Sequence, residues 1–323
     1  MIVDGRRLAS ERTEEIRESR VRFGALSLGV VIATTSPVTQ SYVGIKKRAA
    51  RALDIDVVEY HVSDDATLDD VVDAVKKASV HDGVILQLPL PPGIDVDVAK
   101  NAIPAHLDVD VLSDEAFKLF VGARLKNGVS EPRGESPEAR DRVGVRGVLE
   151  VQRGRDERPV AQELASQTGR DFQTSSNEFP AIPPVPAAMW YILKRNNVTV
   201  EGANVVLIGG GRLVGRPANI LFKRLGANVT VLVKGDNVAE ATKNADIIIS
   251  GAGAPALIKP DMVKEGVVII DGGTSESGGI VVGDADPLCA EKASVFTPVP
   301  GGVGPIAVTE IFANLVALKA KYL

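Results

Sequence analysis

Tyr42 and Lys46 stand four residues apart in the run Ser36-Pro-Val-Thr-Gln-Ser-Tyr-Val-Gly-Ile-Lys46. Side chains at that spacing share one face of a helix. Pro37 suits the first turn of such a helix. A lysine held beside a phenol near a cleft can have a lowered pKa and act as an acid or a base. On spacing alone, Tyr and Lys at i,i+4 are usually an ordinary solvated pair on a helix surface.

Three further segments carry candidate chemistry. The run Asp82-Gly-Val-Ile-Leu-Gln87-Leu-Pro-Leu-Pro-Pro92 is an apolar strand ending in a glutamine and a proline-stiffened turn. Ligands of open α/β sheets gather outside the carboxyl ends of strands, which is where Gln87 falls. Asp108-Val-Asp110 falls at a comparable edge. A carboxylate there either hydrogen-bonds a polar heterocycle or caps a turn. Thr297-Pro-Val-Pro-Gly-Gly-Val-Gly-Pro305 is a rigid, glycine-interrupted loop. It reads as a structural crossover or as a cleft wall where backbone passes close to a ligand.

The segment Val205-Val-Leu-Ile-Gly209-Gly-Gly-Arg-Leu-Val-Gly215-Arg-Pro217 reads as strand, glycine turn and helix. Glycines let the backbone approach a pyrophosphate, and the helix start offers free N–H groups and a positive dipole end. The spacing G-x-G-x-x-x-G is one residue longer than the commonest fingerprint, but the context points to a dinucleotide. A reader of the ribose 2′-OH would be a carboxylate at the end of the next strand. That strand is followed by Lys234, which favours a 2′-phosphate and hence NADP, with NAD left open.

These groups need elements to position them. In the first third, strands at 26–34, 56–62 and 83–90 alternate with helices at 6–19, 40–53 and 65–79. Near-continuous Val/Ile/Leu strands between helices predict a parallel sheet covered on both faces. The last half repeats the pattern, with strands at 204–208, 228–233, 246–250 and 267–271 and a helix at 214–225. This predicts a doubly wound, Rossmann-type sheet. An apolar-periodic helix is expected from about 306 to 322. The fold class is α/β, with two α/β domains and a cleft between them. Residues 127–178 differ in character, with eight Arg, no Lys and one aromatic, Phe172. They read as an insertion, partly disordered, with a short strand at 147–152.

The chain has 323 residues, a length for about two domains. Hydrophobic residues at 45% allow a sizeable core, which excludes overall disorder. The single cysteine, Cys289, excludes an internal disulfide framework and a CxxC zinc site. A net charge of −5 gives no general attraction to nucleic acid or to anionic membrane. No apolar run is read as long enough for a membrane span. The first seven residues are charged from the outset, without the apolar core of a signal peptide, so a cytoplasmic protein is expected.

In this order and at these distances, the segments closely resemble the bifunctional methylenetetrahydrofolate dehydrogenase/methenyltetrahydrofolate cyclohydrolase family. The Y-x-x-x-K pattern matches Tyr42 to Lys46, QLPLP matches Gln87 to Pro91, and DVD matches Asp108 to Asp110. The P-x-x-P helix start is Pro183 to Pro186, and G-D-x-D is Gly283 to Asp286. PVPGGVGP, from Pro298 to Pro305, is a highly specific string.

The resemblance implies a folate-binding catalytic domain over 1–121, completed by helix 306–323, and a Rossmann-type NAD(P)-binding domain over 180–300. It makes Lys46 the acid/base lysine of methenyl hydrolysis. Tyr42 packs on the folate and holds Lys46, Gln87 tunes Lys46, and Asp110 grips the pterin. Pro300 and Gly301 line the folate site. Gly209, Gly210, Gly211, Arg212, Val214, Gly215, Lys234, Gly253 and Thr274 hold the cofactor, NADP or alternatively NAD. The partners implied are tetrahydrofolate one-carbon derivatives and a second copy of the chain in a homodimer. The chain departs from the family in places. Val111 stands where the family often has Gly, and Gly210–Gly211 stand where NADP-using members often have Arg-Ser. Two other readings remain at this level. One is a shikimate- or amino-acid-type dehydrogenase, which leaves PVPGGVGP and QLPLP unexplained. The other is a nucleotide sensor without catalysis.

Overall fold

The computed structural model describes residues 1–34, 36–123, 179–277 and 280–322. The expected insertion at 127–178, with its short strand, lies outside the described residues.

The N-terminal part begins with α1 (Gly5–Arg20), followed by β1 (Leu26–Ile32), α2 (Pro37–Ala52), β2 (Ile55–His61), α3 (Leu68–Ala78) and β3 (Gly83–Gln87). The three strands form a parallel sheet in the order β2-β1-β3. β1 is central, and its Leu28, Val30 and Val31 are fully buried. Both faces of a parallel strand are covered, so polar alternation is absent there. Gly29 lies where α3 comes closest: a Cβ would meet the Ala78 Cβ at 2.9 Å. α2 starts as its residue types dictate, with the Ser36 Oγ accepting from the Thr39 N–H at 3.1 Å and proline in the first turn. Two short helices follow, α4 (Val96–Lys100) and α5 (Asp114–Gly122).

The C-terminal part contains α6 (Pro184–Arg195), β4 (Asn204–Ile208), α7 (Gly215–Arg224), β5 (Asn228–Leu232), α8 (Val238–Thr242), β6 (Ile247–Ser250) and β7 (Val268–Asp271). A two-stranded antiparallel pair, β8 (Ser275–Ser277) and β9 (Ile280–Val282), precedes β10 (Val295–Phe296) and the final helix α9 (Val303–Tyr322). The main sheet is parallel, in the order β10-β7-β6-β4-β5.

Both sheets have the same useful feature. After β1 the chain builds β2 on one side and then returns to place β3 on the other. After β4 it does the same with β5 and β6. Such reversals leave a crevice at the carboxyl ends of the two strands that flank the switch, and ligands bind there.

α9 joins the two cores. Its Val303 and Ile306 pack in the cluster of the second sheet, whereas Ile311, Phe312, Leu315, Val316 and Leu318 pack in that of the first. This corrects one sequence expectation, because α9 has the length and composition of a membrane span. The helix is instead largely covered by α1, α6 and α2, and it carries buried Glu310 and Asn314. Glu310 receives the Arg12 guanidinium at 2.8 and 3.2 Å, so its buried charge is paired.

Candidate active site

At the switch point of the first sheet, Lys46 and Gln87 meet. The Lys46 Nζ donates to the Gln87 Oε1 at 2.8 Å. Gln87 ends β3 in register with Ile32 of β1, so its side chain stands at the carboxyl edge of the sheet. The Gln87 Nε2 donates to the Leu88 carbonyl at 2.7 Å, which directs the amide oxygen toward the lysine. Burial lowers the Lys46 pKa, and the Asp110 carboxylate works against that shift. Burial likewise raises the Asp110 carboxyl, opposed by Lys46. Desolvation thus pushes both partners toward their neutral forms.

Asp110 sits on a turn built by its neighbour. Asp108 is fully buried and accepts from the Leu112 and Ser113 N–H groups at 3.1 and 2.7 Å. Burial pushes its carboxyl up to about 6 despite those bonds. Of the two DVD carboxylates, Asp108 is the turn cap and Asp110 the one electrostatically coupled to Lys46. The Asn314 Nδ2 of α9 also holds this turn, donating to the Val109 carbonyl at 2.8 Å. Val111 has φ +53°, a left-handed conformation costly for a β-branched residue. A glycine would adopt it freely.

The hydroxyl of Thr39 faces those of Thr34 and Ser36 at 3.0 and 2.9 Å, on the first turn of α2. Tyr42 lies one turn before Lys46 and is 46% exposed.

At the second switch point the backbone forms a glycine cradle. Gly209 has φ +102°, and a Cβ there would meet the Gly251 oxygen at 2.8 Å. A Cβ at Gly215 would fall 1.9 Å from the Gly209 oxygen, and one at Gly251 would fall 2.5 Å from the Val214 side chain. These glycines therefore press β4, β6 and the start of α7 together. Gly210 and Gly211 are exposed; a Cβ at Gly210 would lie in ordinary contact with the Val233 Cγ1 at 3.6 Å, and one at Gly211 would meet open space. Val214 fills the gap under Gly251. A strand–turn–helix with bare backbone at the helix start is the form that receives a dinucleotide pyrophosphate. The residues present fit such a cofactor.

The remaining cofactor candidates are distributed around this crevice. Lys234 is exposed just after β5, and the adjacent Asp236 accepts the Val233 N–H at 2.7 Å. Gly253, exposed with φ +65°, lies on the loop after β6. Thr274 is exposed just beyond β7. Arg212 is turned away from the cradle: its guanidinium donates to Asp97 at 2.6 Å, to Asp114 at 2.7 Å and to the Leu112 carbonyl at 2.9 Å. In the PVPGG loop, Gly301 has φ +103° and its carbonyl accepts the Gly5 N–H at 3.0 Å, with Pro300 preceding it.

Two buried carboxylates escaped the sequence reading. Asp284 accepts from the Ser250 Oγ at 2.6 Å and from the Ala252, Gly253 and Ala254 N–H groups at 2.8, 3.2 and 2.7 Å. It thereby shapes the loop that carries Gly253. Asp271 accepts from the Gly273 and Ala285 N–H groups, and burial pushes its carboxyl up to about 6. The G-D-x-D string was the available signal for Asp284, but its backbone partners lie thirty or more residues earlier.

Fold and site together define a class: a two-domain α/β protein with an acid–base cluster at the switch point of one parallel sheet and a dinucleotide cradle at that of the other. Residues 3–110 match the family described as tetrahydrofolate dehydrogenase/cyclohydrolase, catalytic domain. Residues 183–322 match its NAD(P)-binding domain. The chain is 30% identical to the bifunctional protein FolD of Aquifex aeolicus, covering 100% of this chain and 96% of that protein. It is 31% identical to the bifunctional protein FolD of Caldicellulosiruptor saccharolyticus, covering 95% of each. The crystal structure of the bifunctional FolD methylenetetrahydrofolate dehydrogenase/cyclohydrolase from Campylobacter jejuni superposes with a TM-score of 0.78 at 26% identity, covering 100% of this chain and 99% of that one.

This chain belongs to the tetrahydrofolate dehydrogenase/cyclohydrolase family. It is an enzyme with an NAD(P)-binding domain, acting on one-carbon derivatives of tetrahydrofolate.

Proposed function

We propose that this chain oxidises 5,10-methylenetetrahydrofolate with NADP and hydrolyses the methenyl product to 10-formyltetrahydrofolate, with Lys46 as the proton-transfer group. The Lys46–Gln87 contact at 2.8 Å beside Asp110 carries this reading. When bound, the nicotinamide supplies the hydride acceptor. The chain's contribution to that step is orientation: with Tyr42 packed on the folate and Asp110 gripping the pterin, the bridge carbon is held toward the nicotinamide.

Hydrolysis needs a water and a group to move its protons. Lys46, pushed toward its neutral amine, takes one proton as the water oxygen bonds to the bridge carbon. As the bond from that carbon to N5 breaks, N5 keeps the electron pair and receives a proton from the Lys46 ammonium. The second water proton leaves to solvent, and the carbon remains on N10 as a formyl group. Gln87 keeps the lysine aimed, because its own amide is locked on the Leu88 carbonyl.

NADP is assigned from Lys234, the cation just beyond β5. The homodimer and the cytoplasmic setting belong to the same reading, and analytical ultracentrifugation tests the first. The principal experiment follows absorbance with 5,10-methylenetetrahydrofolate and either NADP or NAD, and separately the decay of added methenyltetrahydrofolate. Reduced-cofactor formation faster with NADP, and decay above the buffer rate, support the proposal. Silence in both assays overturns it.

A further inference from the structure

Arg212 belongs to the nucleotide turn, yet all three of its acceptors lie on the first domain: Asp97 of α4, the Leu112 carbonyl, and Asp114 at the start of α5. The receiving site is built for it. Lys100 is almost fully buried, and its Nζ lies 2.5 Å from Asp97 and 2.9 Å from Asp114. Asn101 donates from Nδ2 to the Asp114 Oδ2 at 2.9 Å and accepts the Asp114 N–H at 2.8 Å. The two carboxylates are thus fixed before Arg212 reaches them. A charge-assisted bond to a positioned carboxylate is stronger and more directional than one to a free side chain.

The same seam continues along α7. The Arg216 guanidinium lies 4.8 Å from the centre of the Phe117 ring on α5. Arg224 donates to the Phe120 carbonyl at 2.6 Å and to that of Val121. Three arginines of the nucleotide-binding helix and its turn therefore seat on the segment from Leu112 to Val121. That segment follows directly from the turn capped by Asp108, which carries Asp110.

We propose that Arg212 is a positioning residue that clasps the nucleotide turn to the substrate turn, setting the distance between the two reactants instead of reading a cofactor phosphate. This deepens the reading of the site given above and rests on it. The line of contact is short: Gly209–Arg212 to Leu112 and Asp114, and from there through Ser113 and Asp108 to Asp110. Hydride transfer is sensitive to misplacement of the reacting carbons by about an ångström, whereas binding of one cofactor to one domain is not.

The test compares Arg212→Gln with Asp114→Asn. NADPH affinity is measured by nucleotide fluorescence and the dehydrogenase kcat at saturating cofactor. A clasp predicts that both variants lose about tenfold in kcat while the NADPH Kd moves less than about threefold. Arg212→Lys, which keeps the positive charge between Asp97 and Asp114, should retain much of the kcat that Arg212→Gln loses. A phosphate reader predicts the reverse split: Arg212→Gln weakens NADPH binding about tenfold or more, and Asp114→Asn keeps full kcat. Either of those results overturns the clasp. A double-mutant cycle in denaturant unfolding needs no catalysis, so it separates failure of the clasp from failure of the activity. Non-additive losses support the clasp, and additive losses count against it.

Discussion

The Lys46 Nζ and the Gln87 Oε1 meet at 2.8 Å across 41 residues of sequence. Removing the lysine tests what that contact is for. Lys46→Met keeps the apolar stem and deletes the ammonium. The expected result is loss of methenyltetrahydrofolate hydrolysis by about 10²-fold or more, the range of a general acid–base group. NADPH affinity should stay at the wild-type value, since the cradle lies on the other sheet. Wild-type hydrolysis rates in this variant would remove Lys46 from the mechanism.

Gln87 tests the charge state of the lysine. Gln87→Glu places a carboxylate where the amide oxygen now accepts the Lys46 hydrogen bond. An opposite charge at that distance favours the ammonium and raises the lysine pKa. Hydrolysis by the neutral amine should then need a more alkaline pH, with the acid limb of the rate profile moving up. An unmoved limb would show that the lysine titration does not limit the rate.

The glycine turn gives opposite expectations for two of its sites. A Cβ at Gly215 falls 1.9 Å from the Gly209 oxygen, so Gly215→Ala must open the junction of β4 and α7. Its NADPH Kd should rise about tenfold or more, as a displaced helix start loses its phosphate contacts. Gly211 has no neighbour within 4 Å of a Cβ, so Gly211→Ser should leave the melting temperature unchanged. Fluorescence titration and calorimetry on the pair read both outcomes. Equal behaviour of the two variants would contradict the cradle.

Asp108 and Asp271 make stability depend on pH in an unusual direction. Both are buried, and both have folded-state carboxyls pushed up to about 6 from 3.8. The folded chain holds these protons where the unfolded chain has released them. Their contribution is full below about pH 4 and is lost as pH rises through about 6. At one factor of ten in proton affinity per 1.4 kcal/mol, each is worth about 2–3 kcal/mol over that window. Denaturant unfolding at pH 4.5 and 7.5, with carboxyl-carbon NMR to follow the two groups, checks this. Midpoints near 4 would refute the burial argument.

Much of the fold was legible because local residue types impose it. Alternating apolar strands and helices predicted both parallel sheets, and most boundaries fell within a few residues. The final helix is one example, read from 306 and found to begin at Val303. The elements that were missed, the helices α4, α5 and α8 and the strands β8, β9 and β10, are short. β10 has two residues, and β8 and β9 have three each, too few for a period to register. α9 was read as a helix, but its membrane-span length and composition were not registered; in the fold α1, α6 and α2 pack against it.

What the sequence alone determined about this protein was the inventory and its local geometry. Tyr42 and Lys46 share a helix face because a helix turns every 3.6 residues. The glycine turn follows β4 because only glycine tolerates that backbone approach. Only the tertiary structure decided which side chains face one another. It brought Lys46 to Gln87 and Asp110, made Asp108 a cap instead of a ligand group, and carried Arg212 across to Asp97 and Asp114. Those outcomes depend on strand order and on the packing of α5 against α7. Contacts between residues 41 to 115 positions apart are set by how sheets and helices close on one another, which no local spacing encodes.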